Sequence, residues 1–250
     1  MTNKTLHDSL NRLFIFLKDN RDYNHQVQSK SYKGFLEPFD TLNDKVYSLL
    51  HHIVNTQSQP NLNKLSVFFQ KIYLNKKSLN TFHSFVELLA NKELESSNYE
   101  MLYKAMIIQS GWGKKTSALF TKTVYHLHNG KYDGTFKIWD DAPNKIDINE
   151  KIYLPVDAVI EAIFHKLNPE IKWSFDKVNK YLQNQYSSEQ MEVWDDLWFW
   201  GFITQKGSGL DREFVWNEQK YWALLETDKN ADAILKIKSK SAKFLLLFEN

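Results

Sequence analysis

The sequence predicts a mainly α-helical protein. Apolar residues recur at helical spacing through most of the chain, polar turns separate these stripes, and alternation of apolar and polar residues marks one short stretch. The chain has 250 residues, of which 42% are hydrophobic and 25% charged, so it is large enough to bury a full core. It contains no repeat of fixed period and no low-complexity linker. We therefore expect one compact helical unit over residues 1–250, with a division into two lobes as the alternative.

The first half is predicted to form helices with core-facing apolar stripes. Such stripes run through residues 6–17 and 42–53. Asn80 and Thr81 favour the start of a helix that continues to residue 89, and Asn98 favours the start of another that continues to residue 106. These stripes are more typical of core faces than of binding surfaces.

One stretch in the middle of the chain predicts a small β-hairpin. Residues 135–139 and 145–148 alternate between apolar and polar side chains, and residues 140–144 between them are typical of a turn. We therefore expect a hairpin near residues 132–153, inserted into a helical protein.

The C-terminal part returns to helical spacing. Pro155 fits the first turn of a helix that continues to residue 164, a second helix is predicted from about residue 174 to 182, and a third closes the chain at 231–248. The segment 193–202 is rich in aromatic rings. Such a segment is typical of a core, and a surface that stacks a flipped base is the alternative.

Composition restricts the classes of function. The formal charge is only +2, so local patches rather than global charge must attract a nucleic acid. The chain has many lysines but only three arginines, Arg12, Arg21 and Arg212. Because arginine is the side chain best suited to reading guanine edges, any DNA binding is expected to depend on phosphates. The run Lys236, Lys238, Lys240 and Lys243 predicts a solvated face, with phosphate contact as the alternative.

The absence of cysteine excludes several kinds of site. Disulfides, cysteine-ligated zinc, iron–sulfur clusters and thiol nucleophiles all require this residue.

The first residues have no apolar region of signal-peptide length, and no window is long and apolar enough for a membrane span. We expect a cytoplasmic protein with no membrane partner.

The first segment that is a candidate for a binding or catalytic site is Gln109-Ser110-Gly111-Trp112-Gly113-Lys114-Lys115-Thr116-Ser117-Ala118. Helical spacing resumes at Lys114, so two glycines lie in a short turn between helices. Glycines let the backbone approach a ligand, and the amides at the start of the following helix stabilise an anion. The segment therefore predicts a phosphate site formed by Gly111, Gly113 and Lys114. A tight turn followed by solvated lysines is the alternative.

Spacing excludes one competing motif. A Walker A loop requires a glycine five residues before Gly113 and a serine or threonine directly after the first lysine. Ile108 and Lys115 occupy those positions. This segment is therefore not a nucleotide-binding P-loop.

The second segment is Tyr153-Leu154-Pro155-Val156-Asp157-Ala158-Val159-Ile160. Asp157 is predicted to lie one turn into an otherwise apolar helix, where a carboxylate is costly to bury without a partner. The alternative is a residue at the helix N-terminus whose carboxylate accepts hydrogen bonds from free amides. The two interpretations are compatible, because one carboxylate can do both.

Together the two segments resemble the helix-hairpin-helix DNA glycosylases, and most closely their 8-oxoguanine and endonuclease III-like branch. The hairpin of that family has the form Gly-apolar-Gly-x-Lys-Thr-Ala, and Gly111-Trp112-Gly113-Lys114-Lys115-Thr116-Ser117 matches it. The catalytic aspartate of the family lies in a Val-Asp-x-x-apolar helix start, which Val156-Asp157-Ala158-Val159-Ile160 matches. The resemblance covers residues 95–168, the predicted hairpin and catalytic-aspartate region.

The resemblance implies a function and roles for five residues. Lys115 falls on the lysine nucleophile, Asp157 on the catalytic aspartate, and Gly111, Gly113 and Lys114 on the phosphate-contacting hairpin. The implied protein is a base-excision repair glycosylase with AP-lyase activity, acting on a damaged base, such as an oxidised one, flipped from double-stranded DNA. No metal site or cofactor is expected. A monovalent cation held by hairpin carbonyls is the alternative.

Two alternatives remain open. Lys115 and Asp157 are 42 positions apart, farther than in typical members, and Ser110 and Val159 stand where many members have proline and histidine. Under a rival alignment, residues 111–130 match an earlier family helix that begins Gly-Leu-Gly-Tyr-Arg, and only Asp157 keeps its role. The alternative function is a non-catalytic helix-hairpin-helix DNA-binding protein that has lost the glycosylase chemistry.

Overall fold

The part of the chain that the structure describes is mainly helical and contains a small β-hairpin, as predicted. A computed structural model describes residues 3–129 and 136–249. Its helices are α1 (Asn3–Asp19), α2 (Arg21–Leu36), α3 (Leu42–Val54), α4 (Leu62–Leu74), a 3-10 turn (Lys76–Leu79), α5 (Phe82–Ala90), α6 (Tyr99–Ile107), α7 (Lys114–His128), α8 (Ala158–Leu167), α9 (Phe175–Gln183), α10 (Ser188–Trp194), α11 (Asp196–Ile203), α12 (Glu218–Ala223) and α13 (Ala231–Leu246). The strands are β1 (Gln205–Lys206) and β2 (Glu213–Phe214), which pair antiparallel. None of the described helices is long and apolar enough to cross a membrane.

The chain folds into two compact units. The first unit contains residues 1–30 and 156–250, and the second contains residues 31–155. In the second unit, the helices in closest contact are α5, α6 and α7, and α3 packs against α7. In the first unit, α8 packs against α11 and α9, and α1 packs against α10. The segment 95–168 therefore contributes residues to both units.

Side-chain caps set the helix boundaries in the second unit. Thr81 accepts a hydrogen bond from the backbone of Ser84 at the start of α5, and Asn98 accepts one from Met101 at the start of α6. Both caps were expected from the sequence, because an oxygen-bearing side chain before an apolar stripe satisfies amides that a helix leaves free. The observed starts of α5 and α6 confirm these predictions.

The β-hairpin lies elsewhere in the chain than predicted. It is formed by residues 205–214, where Gly207 and Gly209 have φ angles of +83° and +69°. Residues 136–153 of the predicted hairpin form turns and extended chain without strand pairing, and residues 132–135 lie outside the described part of the chain. The alternation of side chains was real, but it did not lead to a ladder.

Three buried or capping side chains explain why residues 136–153 form no ladder. The ring Nε2 of His128 accepts hydrogen bonds from the backbone amides of Ile138 and Trp139 at 3.3 and 3.0 Å. Asp141 accepts bonds from the first two amides of α5 at 2.7 and 2.9 Å, and Glu150 accepts bonds from the first two amides of α6 at 2.7 and 3.3 Å. Side chains therefore bind this segment to the helices around it, and His128 takes two backbone amides that a ladder could have used.

In the first unit, a glycine allows α8 and α11 to approach closely. A Cβ atom on Gly201 of α11 would lie 2.7 Å from Ile163 Cδ1 and 2.8 Å from Val159 Cγ1, both on α8. Distances this short are not tolerated without movement of the two helices or their side chains. Glycine at this position is therefore a packing requirement.

The start of α11 is fixed by a buried cluster of charges. Asp196 accepts hydrogen bonds from Arg21 Nε at 3.2 Å and from Asn24 Nδ2 at 2.6 Å. Arg21 also forms an ion pair with Glu192 at 3.1 Å. Burial raises the pKa of Asp196 to about 7, because the loss of solvation outweighs the attraction of Arg21.

We expect Gly201→Ala to destabilise the protein by about 1–3 kcal/mol through overpacking between α8 and α11. Gly34→Ala is the matched control, because Gly34 lies within α2 and a Cβ there meets nothing within 4 Å. That control should gain about 0.5–1 kcal/mol from the better helix propensity of alanine. Urea unfolding of the two variants measures both effects, and equal changes in the two variants would contradict the packing argument.

We expect the stabilising contribution of Asp196 to fall as the pH rises. Its folded pKa of about 7 lies above the ordinary value of 3.8, so this contribution is complete below pH 3.8 and is lost as the pH approaches 7. The difference in unfolding free energy between wild type and Asp196→Asn should therefore decline across this range, by at most about 1.4 kcal/mol per pH unit. Urea unfolding at several pH values measures this difference. A difference that stays constant with pH would show that Asp196 titrates normally.

Candidate functional site

The glycine turn between α6 and α7 has a conformation that requires glycine. Gly111 has a φ of +84°, and a Cβ there would lie 2.8 Å from the side chain of Leu65. Trp112 is buried, and its ring packs against Phe68 and Phe120 with centroid distances of 5.1 and 5.7 Å. The turn is therefore anchored in the core of the second unit by the residue between its two glycines.

The second glycine leaves the start of α7 without a side-chain cap. Gly113 is the N-cap of α7, and its carbonyl accepts a hydrogen bond from Ser117 at 2.9 Å. Lys114 is exposed and Lys115 is half-buried. A helix start that has a glycine cap and two lysines is suited to an anion, because backbone amides and ammonium groups both favour negative charge there.

The carbonyl of Gly111 has a partner in the second unit. Gln57 Nε2 donates a hydrogen bond to it at 3.4 Å. The monovalent cation that the resemblance allows would be held by carbonyls of this turn, and the carbonyl of Gly111 accepts the bond from Gln57. Among residues 3–129 and 136–249, no group of three or more histidine, aspartate or glutamate side chains is arranged to hold a metal ion.

Asp157 is the N-cap of α8 rather than a residue one turn into the helix. Its Oδ1 accepts hydrogen bonds from the backbone amides of Val159 at 3.0 Å and Ile160 at 3.1 Å. Pro155 precedes the helix instead of occupying its first turn. The helix starts later than predicted because the aspartate side chain takes the free amides, which is the role that this residue type favours at a helix start.

The other oxygen of Asp157 binds an indole. Trp198 Nε1 of α11 donates a hydrogen bond to Asp157 Oδ2 at 3.0 Å. Three N–H donors therefore hold the half-buried carboxylate in one orientation. Burial raises the pKa of Glu161, and the negative charge of Asp157 raises it further.

An aromatic pair and a lysine lie next to this carboxylate. Trp198 stacks on Phe202 with a centroid distance of 4.9 Å and an interplanar angle of 15°. The ammonium of Lys220 lies 4.9 Å from the centroid of the Phe202 ring. Burial lowers the pKa of Lys220, the charge of Arg212 lowers it further, and the charge of Asp157 opposes the change.

The structure brings four of the five sequence-predicted site residues together. Gly111, Gly113, Lys114 and Lys115 form the start of α7 in the second unit, whereas Asp157 belongs to the first unit. The aromatic segment divides into buried rings and the half-buried Trp198 and Phe202. Sequence reasoning missed Lys220, which is separated from Asp157 by 63 positions and has no local motif.

Comparisons with known proteins give no relative. No known protein family, curated protein or solved structure matches this chain.

We expect the two roles of the Asp157 carboxylate to separate in two variants. Asp157→Asn retains an oxygen for the amides of α8 but brings an NH₂ group towards the Trp198 indole, whereas Asp157→Ala loses both contacts. The alanine variant should therefore be about 1 kcal/mol less stable than the asparagine variant.

Thermal or urea unfolding measures this order. Trp198→Phe is the control background, because it removes the indole donor, and there Asp157→Asn should cost less than in the wild-type background. Equal stability of the asparagine and alanine variants would contradict the capping role.

Proposed function

We propose that this protein is a DNA glycosylase with AP-lyase activity that acts on a damaged base, such as an oxidised one, flipped out of double-stranded DNA. The observation that carries the proposal is the environment of Asp157. Its carboxylate is fixed by three N–H donors at the start of α8, and it lies beside the half-exposed pair Trp198 and Phe202. A fixed negative charge next to aromatic surface suits the sugar of a flipped nucleotide, where positive charge develops as the base leaves.

Lys115 supplies the nucleophile in this proposal. Its neutral amine attacks C1′, the glycosidic bond breaks, and the base leaves with the bonding electron pair and takes up a proton. Opening of the sugar ring then gives a Schiff base between Lys115 and C1′. Loss of a proton from C2′ and departure of the 3′ phosphate by β-elimination cut the strand. Hydrolysis of the imine releases the lysine.

The start of α7 holds the DNA backbone. Gly113 is open at the place where a Cβ would stand, so a phosphate can approach its backbone, and Gly111 forms the turn against Leu65. Lys114 is an exposed cation beside them. These contacts carry no sequence information, which is consistent with a chain that has only three arginines. They would position the duplex, while the flipped nucleotide carries the specificity.

A second candidate function is non-catalytic DNA binding. The 42 positions between Lys115 and Asp157 favour it, since this spacing also permits the alignment in which Lys115 has no catalytic role. Such a protein would bind duplex DNA in a salt-dependent manner without cutting it.

We expect sodium borohydride to trap a covalent adduct between the wild-type protein and duplexes that carry an abasic site or an oxidised base. Lys115→Gln should abolish the adduct, because no amine remains to form the imine. Lys114→Gln should keep it at saturating protein, although with weaker DNA binding. Denaturing gel electrophoresis of labelled DNA measures adduct and strand cleavage together.

Two results decide against the proposal. An adduct that persists in Lys115→Gln would exclude this lysine as the nucleophile. Salt-dependent duplex binding by the wild type with neither adduct nor cleavage, over a panel of lesions, would support the non-catalytic function.

A further inference from the structure

We infer that Trp198, Phe202, Arg212 and Lys220 form a nucleotide-binding surface, here called the aromatic–cation face, which holds one DNA phosphodiester and stacks the ring next to it. The inference rests on the proposed DNA substrate. It adds residues that lie outside the glycine turn before α7 and outside the segment around Asp157. All of them belong to the first unit, as Asp157 does.

The aromatic part of this face is a stacked pair that remains half-exposed. Trp198 and Phe202 are one helical turn apart on α11, with nearly parallel rings 4.9 Å apart. Phe199 and Trp200 of the same helix are buried, at 1% and 0% exposure. The helix therefore uses two of its rings for the core and keeps two at the surface. A base or a sugar can stack on such a surface without regard to sequence.

The orientation of this pair is fixed rather than adaptable. The Trp198 indole donates to Asp157 Oδ2, and Gly201 holds α11 close against α8. The ammonium of Lys220 lies over the ring of Phe202. A stacking surface with fixed rings loses little side-chain entropy when a ligand binds.

The charged part consists of two cations that repel each other. The charge of Arg212 lowers the pKa of Lys220, so the two groups are close enough to interact. Arg212 Nε donates to the carbonyl of Gly209 at 2.8 Å, which orients the guanidinium. In the described part of the chain, neither cation forms an ion pair with a carboxylate. An anion between them would relieve the repulsion, and a phosphate offers oxygens to both.

A phosphodiester fits this face better than a free phosphate does. The carboxylate of Asp157 is bonded to the Trp198 indole of this face, and its charge acts on Lys220 and on Glu161. A dianion would be repelled by these carboxylates. A phosphodiester has only one negative charge, and the nucleotide to which it belongs also brings a ring for the aromatic pair. Binding there would bring a sugar next to Asp157.

The test measures DNA binding by the 250-residue protein. Fluorescence anisotropy of labelled duplexes reports the binding over a range of salt concentrations. One duplex is intact and the other carries a stable abasic analogue. The variants are Lys220→Gln, Arg212→Gln and Trp198→Leu, and circular dichroism checks their folding. Lys180→Gln is the matched control, because Lys180 is an exposed lysine on α9 that lies outside the proposed face.

We expect Lys220→Gln and Arg212→Gln to weaken binding several-fold and each to reduce the slope of log affinity against log salt by about 1. Trp198→Leu should weaken binding to the abasic duplex more than to the intact one, because the base opposite the abasic site is unpaired and leaves the duplex readily to stack on the aromatic pair. Lys180→Gln should bind as the wild type does. Inorganic phosphate should compete much less well than a single-stranded oligonucleotide.

The inference is overturned if Lys220→Gln and Arg212→Gln both bind as Lys180→Gln does, or if the wild type binds neither duplex. Competition by inorganic phosphate as strong as that by the oligonucleotide would also overturn it and would leave a simple anion site. Failure of the proposed function has a different result. In that case, borohydride traps no adduct, while the variants of the aromatic–cation face still lose DNA binding.

Discussion

The close approach of α8 and α11 is the constraint on which the candidate site depends. It requires Gly201, since any side chain there would overlap Ile163 and Val159. Gln205, just after α11, extends the contact by donating from Nε2 to the carbonyl of Val159 at 3.1 Å. Because the two helices are fixed in this way, the indole of Trp198 on α11 reaches the carboxylate of Asp157 at the start of α8.

Asp157 uses the same chemistry as other acidic residues in this protein but in a different setting. Asp141 and Glu150 also satisfy amides at helix starts, and in doing so they bind an irregular segment to the second unit. Such carboxylates stabilise a fold, because a helix start favours negative charge. Asp157 differs in that its second oxygen binds an indole with a half-exposed ring face. A capping aspartate is therefore compatible with function where aromatic surface adjoins it.

The helices were predictable from the sequence because the information for them is local. Apolar stripes and capping residues lie within a few positions of each other, and the starts of α5, α6 and α7 agree with the prediction. The predicted hairpin near residues 132–153 was wrong in position, and the side chain of His128 takes the backbone amides of Ile138 and Trp139 there. The real hairpin had a local indication in Gly207 and Gly209, which was overlooked.

The candidate site was predictable only in part, for the same reason. Gly111, Gly113, Lys114 and Lys115 are neighbours in sequence, so their joint position at the start of α7 follows from the turn alone. Lys220 approaches Phe202 and interacts with Asp157 through folding, and no spacing in the sequence indicates this. Contacts of this kind become visible only when the tertiary structure is known.

The distribution of these residues over the two units has a consequence for the chemistry. Lys115 belongs to the second unit, whereas Asp157 and the aromatic–cation face belong to the first. Nucleotide binding on the aromatic–cation face needs residues from the first unit only. The proposed nucleotide binding is therefore separable from the proposed lysine chemistry. A chain in which Lys115 had no catalytic role would still keep every residue of that face, so the two proposed functions differ in their use of Lys115 and not in the residues of the first unit.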